Sequence, residues 1–145
     1  MSADGRRDET RAAAVARIFA VMRGLVLDSD DRRREVVTAT GMGFVRSKAL
    51  RRLIAGPLGM SELASKLIVD RPYTSLIVDD LEQRGLVVRA VAPGDRRAKV
   101  VTLTPAGRAV AVQAEEILAR PPDALARLGA DELAELDRLL SALDV

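Results

Sequence analysis

The residues of this chain best equipped for chemistry are arginines, in two settings: Arg71-Pro72-Tyr73 and Asp95-Arg96-Arg97-Ala98-Lys99. A guanidinium offers a planar fork of donors that fits two adjacent acceptors, such as guanine O6 and N7, whereas a lysine ammonium is a point charge suited to phosphate. The groups that would support catalysis are missing. Among the 145 residues there is no histidine and no cysteine. That removes thiol redox sensing, zinc sites built on His or Cys, and nucleophile–histidine catalysis. There is no glycine-rich phosphate loop, and the carboxylate pairs Glu115-Glu116 and Asp131-Glu132 are adjacent on helices and so diverge. No metal or cofactor is expected, because hard cations need several converging oxygens. The available chemistry is recognition of a polyanion, not turnover.

The first cluster has to be held by a pair of helices. In Met60-Ser61-Glu62-Leu63-Ala64-Ser65-Lys66-Leu67, the apolar residues Leu63, Ala64 and Leu67 share one helical face. After a short Ile68-Val69-Asp70 connection a second helix begins, capped by Asp70 or by Arg71, with Pro72 in the first turn where its missing N–H costs nothing. Thr74, Ile77, Val78 and Leu81 recur at helical spacing and point inward, which leaves Arg71, Pro72, Tyr73, Ser75 and Leu76 outward on the first two turns. Tyr73 there either touches a base or phosphate or fills the junction between the helices. Arg71 either meets DNA or pairs with Asp70 or Asp79.

Gly85 ends the second helix. Leu86 to Val91 and Ala98 to Leu103 then read as two strands joined through Ala92-Pro93-Gly94-Asp95, with Arg96 and Arg97 at the tip, and Thr104-Pro105 opens another helix. Helix, turn, helix and hairpin make a winged helix-turn-helix, so the fold class is mainly α with a small β-hairpin wing. The exposed turns of the second helix suit the major groove of duplex DNA.

In order and spacing, Ser61-Glu62-Leu63-Ala64, Val69-Asp70-Arg71, Asp79-Asp80-Leu81-Glu82, Arg84-Gly85-Leu86-Val87 and above all Asp95 to Arg108 resemble the MarR (multiple antibiotic resistance regulator) family of winged-helix transcription factors. About half of the chain carries the resemblance. It implies a homodimer held by terminal helices, a recognition helix in each of two successive major grooves, and a wing arginine, here Arg97, in the minor groove, with Arg96 and Lys99 left to phosphate. It also implies an effector pocket between the dimerisation helices and the head, for which Phe19, Met22, Met42, Phe44 and Arg46 are the candidates, although core packing accounts for the same residues. Leu76 departs from the family, which often has a polar residue there.

Charge follows the same division. Net charge is −1 over residues 1–31, +8 over 32–108 and −5 over 109–145. A basic middle between acidic ends suits a DNA reader whose termini do something else. Residues 1–9 read as a disordered tail without the apolar stretch of a secretory signal, and 10–145 as one domain with a head at about 44–104 and dimerisation helices at about 10–28 and 105–145. Val15 and Ile18 near one end, and Leu133, Leu136, Leu139, Leu140 and Leu143 near the other, form apolar stripes that a second copy would bury. The basic run Arg32-Arg33-Arg34 reads as a solvated helix start or as a further phosphate contact. Together these features predict a cytoplasmic homodimeric transcriptional repressor on double-stranded DNA, released by a small aromatic or amphipathic effector. The alternative is control by a protein partner or by no ligand.

Overall fold

A computed structural model describes residues 3–28 and 31–145, with eight helices and three short strands among them. The helices are α1 (Ala3–Arg23, continued by a π-helical turn, Gly24–Asp28), α2 (Arg32–Thr40), α3 (Phe44–Arg52), α4 (Met60–Leu67), α5 (Arg71–Gln83), α6 (Pro105–Ala119), α7 (Asp123–Ala126) and α8 (Ala130–Ser141). The strands are β1 (Leu58–Gly59), β2 (Val87–Ala92) and β3 (Asp95–Leu103). None of the described helices is long and apolar enough to cross a membrane.

The chain divides into two compact units, residues 31–120 and the two termini, 1–30 with 121–145. Two helices fall across the expected boundaries. Helix α1 starts at Ala3, inside the stretch read as a disordered tail. Arg6, Arg7 and Glu9 are good helix formers, and continuity with the alanine-rich segment spares them a new nucleation step. Met1 and Ser2 lie outside the described residues. Helix α6 packs within the unit of residues 31–120: Arg51 on α3 pairs with Glu115 on α6 at 3.1 Å, and Arg120 at its end reaches Glu35 on α2.

The head packs α3, α4, α5 and α6 around Leu50, Leu53, Leu63, Ile77, Leu81 and Val101, all under 2% exposed. Burying each such side chain stabilises by about 1.5–3 kcal/mol relative to exposure. Against this core lies an antiparallel sheet of order β1-β3-β2. Strand β1 is only two residues long and exists through its pairing with β3, Leu58 opposite Val101 and Gly59 opposite Val100. Between α4 and α5 the chain turns at Ile68, whose φ of 60° places a β-branched residue in the left-handed region. That conformation costs roughly 1–2 kcal/mol and is held by the surrounding pair of helices.

One junction sets where the hairpin leaves the head. Gly85, at φ 71°, ends α5, and Leu86 N–H donates back to Leu81 O at 2.9 Å. Thr104 caps α6, accepting from Gly107 N–H at 3.0 Å, and its hydroxyl donates to Gly85 O at 2.6 Å. A Cβ on Gly107 would lie 1.8 Å from the Leu86 carbonyl oxygen. Replacing a helical glycine by alanine ordinarily stabilises by about 1 kcal/mol. Here the sign should reverse: Gly107→Ala is expected to cost at least about 1–3 kcal/mol, because the obstructing atom is backbone. Urea midpoints of the two proteins check this, and an unchanged or raised midpoint would show that the junction yields.

Candidate nucleic-acid interface

Helix α5, the expected recognition helix, is positioned by its cap and its buried face. Asp70 is the N-cap: its carboxylate accepts from Tyr73 N–H at 2.7 Å, which makes Arg71 the first helical residue and puts Pro72 in the first turn. Thr74, Ile77, Val78 and Leu81 are buried, while Arg71, Pro72, Tyr73 and Leu76 are exposed and Ser75 is half-buried. Leu76, at 63% exposure, is the most exposed large apolar side chain on the helix. Arg71 pairs with neither Asp70 nor Asp79; its guanidinium donates to the Ser61 hydroxyl at the start of α4.

The wing tip is shaped by main-chain bonding. Asp95 accepts from the backbone N–H of Arg97 at 2.9 Å, and the side chains of Arg96, Arg97 and Lys99 are exposed. Helix and wing then meet in an open notch of about 440 Å³, lined by Gly59, Met60, Ser61, Glu62, Arg71, Ser75, Arg89, Arg97, Ala98 and Lys99. The notch therefore brings together Arg71, Ser75, Arg97 and Lys99 from the sequence-derived set. Arg96, Pro72, Tyr73 and Leu76 lie outside its lining. Three polar residues were missed by sequence reasoning: Ser61, Glu62 and Arg89. Arg89 carried a usable signal, since it falls two residues after the buried Val87 and so shares the inward face of β2, where a charge needs a partner. Burial opposes its charge, but hydrogen bonds to Glu82 and then Asp79 outweigh that and hold the guanidinium above its ordinary value.

The proposed effector residues fall in different settings. Phe19 and Met22 are exposed on α1, in the terminal unit. In the head, Met42 is 3% exposed within the core. Phe44 carries the guanidinium of Arg33 at 4.7 Å and that of Arg51 at 5.6 Å from its ring centre, cation–π distances. Arg46 donates to Asp80 at 2.6 Å, and Asp80 also accepts from Arg84 at 2.9 Å. Of the basic run, Arg33 is thus on Phe44 and Arg34 is 3.4 Å from Asp31. Val15, Ile18, Leu133, Leu139, Leu140 and Leu143 are exposed and Leu136 is half-buried, all in the terminal unit. Among the described residues no group of three or more carboxylates is placed to hold a metal ion.

The family model that matches this chain is that of the MarR family, over residues 50–99. These run from α3 through α4 and α5 into the wing. A Thauera aromatica protein assigned to transcriptional regulation of the hcr operon is 37% identical over 87 residues, 59% of this chain and 52% of that protein, so the chain spans about half the length of this curated relative. Among solved structures, a MarR family protein from Bacillus stearothermophilus superposes with a TM-score of 0.75 at 25% identity, covering 92% of this chain and 94% of the other. Wild-type MarR from E. coli, in its apo form, superposes with 0.69 at 26% identity, covering 86% and 93%.

The bridge at Asp80 generates a pH prediction. The hydrogen bond from Arg46, and then that from Arg84, holds this carboxyl below its ordinary value of 3.8. A folded pKa below the unfolded one means that the bridge stabilises the protein fully above the unfolded value, and that this contribution is lost as pH falls through the folded value. The stability gap between wild type and Asp80→Asn should accordingly be constant from neutral pH to about 5, begin to close as pH falls below about 4, and vanish only below the folded value, where native wild type also carries a neutral group. Denaturant midpoints at a series of pH values measure it; a gap that persists at pH 2 would assign the effect to packing.

Proposed function

We infer that this chain is a winged-helix transcriptional regulator of the MarR family, and propose that it is a sequence-specific reader of duplex DNA. It acts as a cytoplasmic homodimeric repressor on a pseudo-palindromic operator. The observation that carries this is the notch, where Arg71 and Ser75 at the start of the recognition helix face Arg97 and Lys99 of the wing across one opening. A helix start that size and charge enters a major groove, and a wing arginine reaches the adjacent minor groove, whose narrow A·T tracts concentrate negative potential. Support for dimerisation comes from Val15 and Ile18 on α1 and Leu139 and Leu140 on α8, apolar side chains left exposed within one chain. A twofold dimer would present two recognition helices to successive major grooves, one turn of about 34 Å apart. The protein works by binding rather than by catalysis.

For regulation, the proposed effector is a small aromatic or amphipathic acid that favours a dimer whose recognition helices no longer match the groove spacing. Within the head, Phe44 and Arg46 remain its proposed contacts, with Arg46 as the partner of its anionic group. One observation favours the second reading, control by a protein partner or by none: Arg46, the proposed anion partner, already serves Asp80.

Selection of sites from random duplexes, followed by footprinting, tests the function. Wild type should recover an inverted repeat. Arg97→Ala should weaken binding to it by about 1–3 kcal/mol per half-site, mostly at A·T positions, whereas Lys99→Ala should weaken all sequences alike and lower the salt slope by about one contact. Recovery of no motif by wild type would remove the reading; an unchanged affinity in Arg97→Ala would make the wing structural.

Leu76 sharpens the expectation for the base contacts. An apolar side chain can read a base step only through a thymine methyl, so direct readout falls to Arg71, Tyr73 and Ser75. Leu76→Arg is expected to raise general DNA affinity while changing the preferred base at one step of each half-site. The motif recovered by that variant checks it, and a motif identical to that of wild type would mean that this face of α5 does not meet the bases.

A further inference from the structure

Arg89 differs from the other cations of the notch, because its charge is paired with two carboxylates of the head. Its Nε and Nη2 donate to Glu82 Oε2 at 3.1 and 3.0 Å, and Nη2 also donates to Asp79. Its backbone N–H, on edge strand β2, points to Glu82 Oε1 at 3.4 Å. Both carboxylates belong to the recognition helix, so one side chain of the wing is bonded at three points to the element it must work beside. Two carboxylates around one guanidinium leave a net charge of −1. That repels phosphate, and a direct backbone contact is not what this cluster is built for.

Leverage gives the bonding its consequence. Strand β1 supports β3 only at Val100 and Val101, so beyond them the hairpin is a two-stranded ribbon, with a register irregularity between Val91 and Ala92. Such ribbons are marginal alone. Arg89 stands five residues before Gly94 at the tip, roughly 16 Å at about 3.3 Å per residue. A rocking of about 10° at its root would carry the tip by ~3 Å, several times the ~0.5 Å within which a binding constellation must be held.

We propose that Arg89 is a positioning residue for DNA readout: its bonds to Asp79 and Glu82 fix the wing against α5, so that Arg97 and Arg71 engage their two grooves in a single register. The proposal rests on the DNA-binding function above. It assigns to Asp79 and Glu82 a role in specificity, although they carry the wrong charge to approach DNA.

The test uses Asp79→Ala/Glu82→Ala, which removes both acceptors, adds two strong helix formers and makes the protein more positive by two charges. If Arg89 touches DNA, freeing it should tighten binding to every duplex and keep the preference of wild type. The clamp predicts otherwise: affinity for random duplex unchanged or higher, preference for the motif selected by wild type reduced at least tenfold, and protection lost at wing-side positions but kept at recognition-helix positions. Retained preference in the folded variant overturns the clamp. Arg89→Ala should lose preference equally with the salt slope unchanged, and a slope lower by about one contact overturns the proposal in favour of a phosphate contact. Arg89→Lys keeps the charge but not the fork; it covers the case of a double variant that does not fold, and full preference there also overturns the clamp. Without DNA, amide exchange over residues 89–100 should quicken at least fivefold in the Arg89 variants while α6 is unchanged. Unchanged exchange defeats the clamp whether or not wild type selects a motif, whereas a wild type that selects none, with quickened exchange in the variants, defeats only the DNA reading.

Discussion

The contact between Gly107 and the Leu86 carbonyl is the constraint on which the head depends. Four elements meet there: the end of α5, the start of β2, the end of β3 and the start of α6. Backbone can approach backbone this closely only where no Cβ intervenes. Thr104 completes the junction, because one hydroxyl accepts from Gly107 and donates to Gly85. The recognition helix and the two ends of the hairpin are therefore not separate attachments to a core. They leave a single point, and the angle at which the wing departs is set before any side chain at its tip is considered.

Electrostatics in the head follow a division of labour along α5. Its buried residues face the core, its first two turns carry the exposed Arg71, Pro72, Tyr73 and Leu76, and its later turns carry Asp79, Asp80 and Glu82. Each of these carboxylates is bonded to an arginine of the head: Asp80 to Arg46 and Arg84, Asp79 and Glu82 to Arg89. The net charge of +8 over residues 32–108 thus consists of paired cations that brace the scaffold and exposed ones, notably Arg96, Arg97 and Lys99, that remain for a polyanion. Counting charge from the sequence cannot separate the two kinds.

What the sequence made legible was local. Asp70 with Pro72, Thr104 with Pro105, and the turn residues Ala92 to Asp95 encode caps and a hairpin through contacts only a few residues apart, and the observed elements start and stop there. What it concealed depends on distance. Strand β1 exists because Leu58 and Gly59 meet residues more than forty positions on. The apolar pattern of α6 does not say which helices of its own chain it packs on, and its contacts to α3 and α2 come from residues 64 and 85 positions away. Arg46 looked like an available cation because Asp80 lies 34 residues away. The notch was half legible for the same reason: Arg71, Ser75, Arg97 and Lys99 follow from helical and strand periodicity, whereas Ser61 and Glu62 lie on another helix that only the fold brings alongside.

An apolar Leu76 in the middle of the recognition face limits what that helix can do alone. If Arg71, Tyr73 and Ser75 read the bases as proposed, with only Arg71 able to make a bidentate contact, few base edges per half-site are read directly, and each good bidentate pair discriminates by only about 1–3 kcal/mol. On the proposed function, selectivity must come from requiring several modest contacts at once: helix and wing within a head, and two heads within a dimer. Simultaneity is a property of rigid geometry. A loose wing would let Arg97 find a phosphate on any sequence, gaining affinity and losing selectivity. That gives a physical reason for a DNA-facing surface to tie a half-buried, charged arginine to two carboxylates at the root of its wing, where the same side chain left unpaired would have favoured DNA of any sequence.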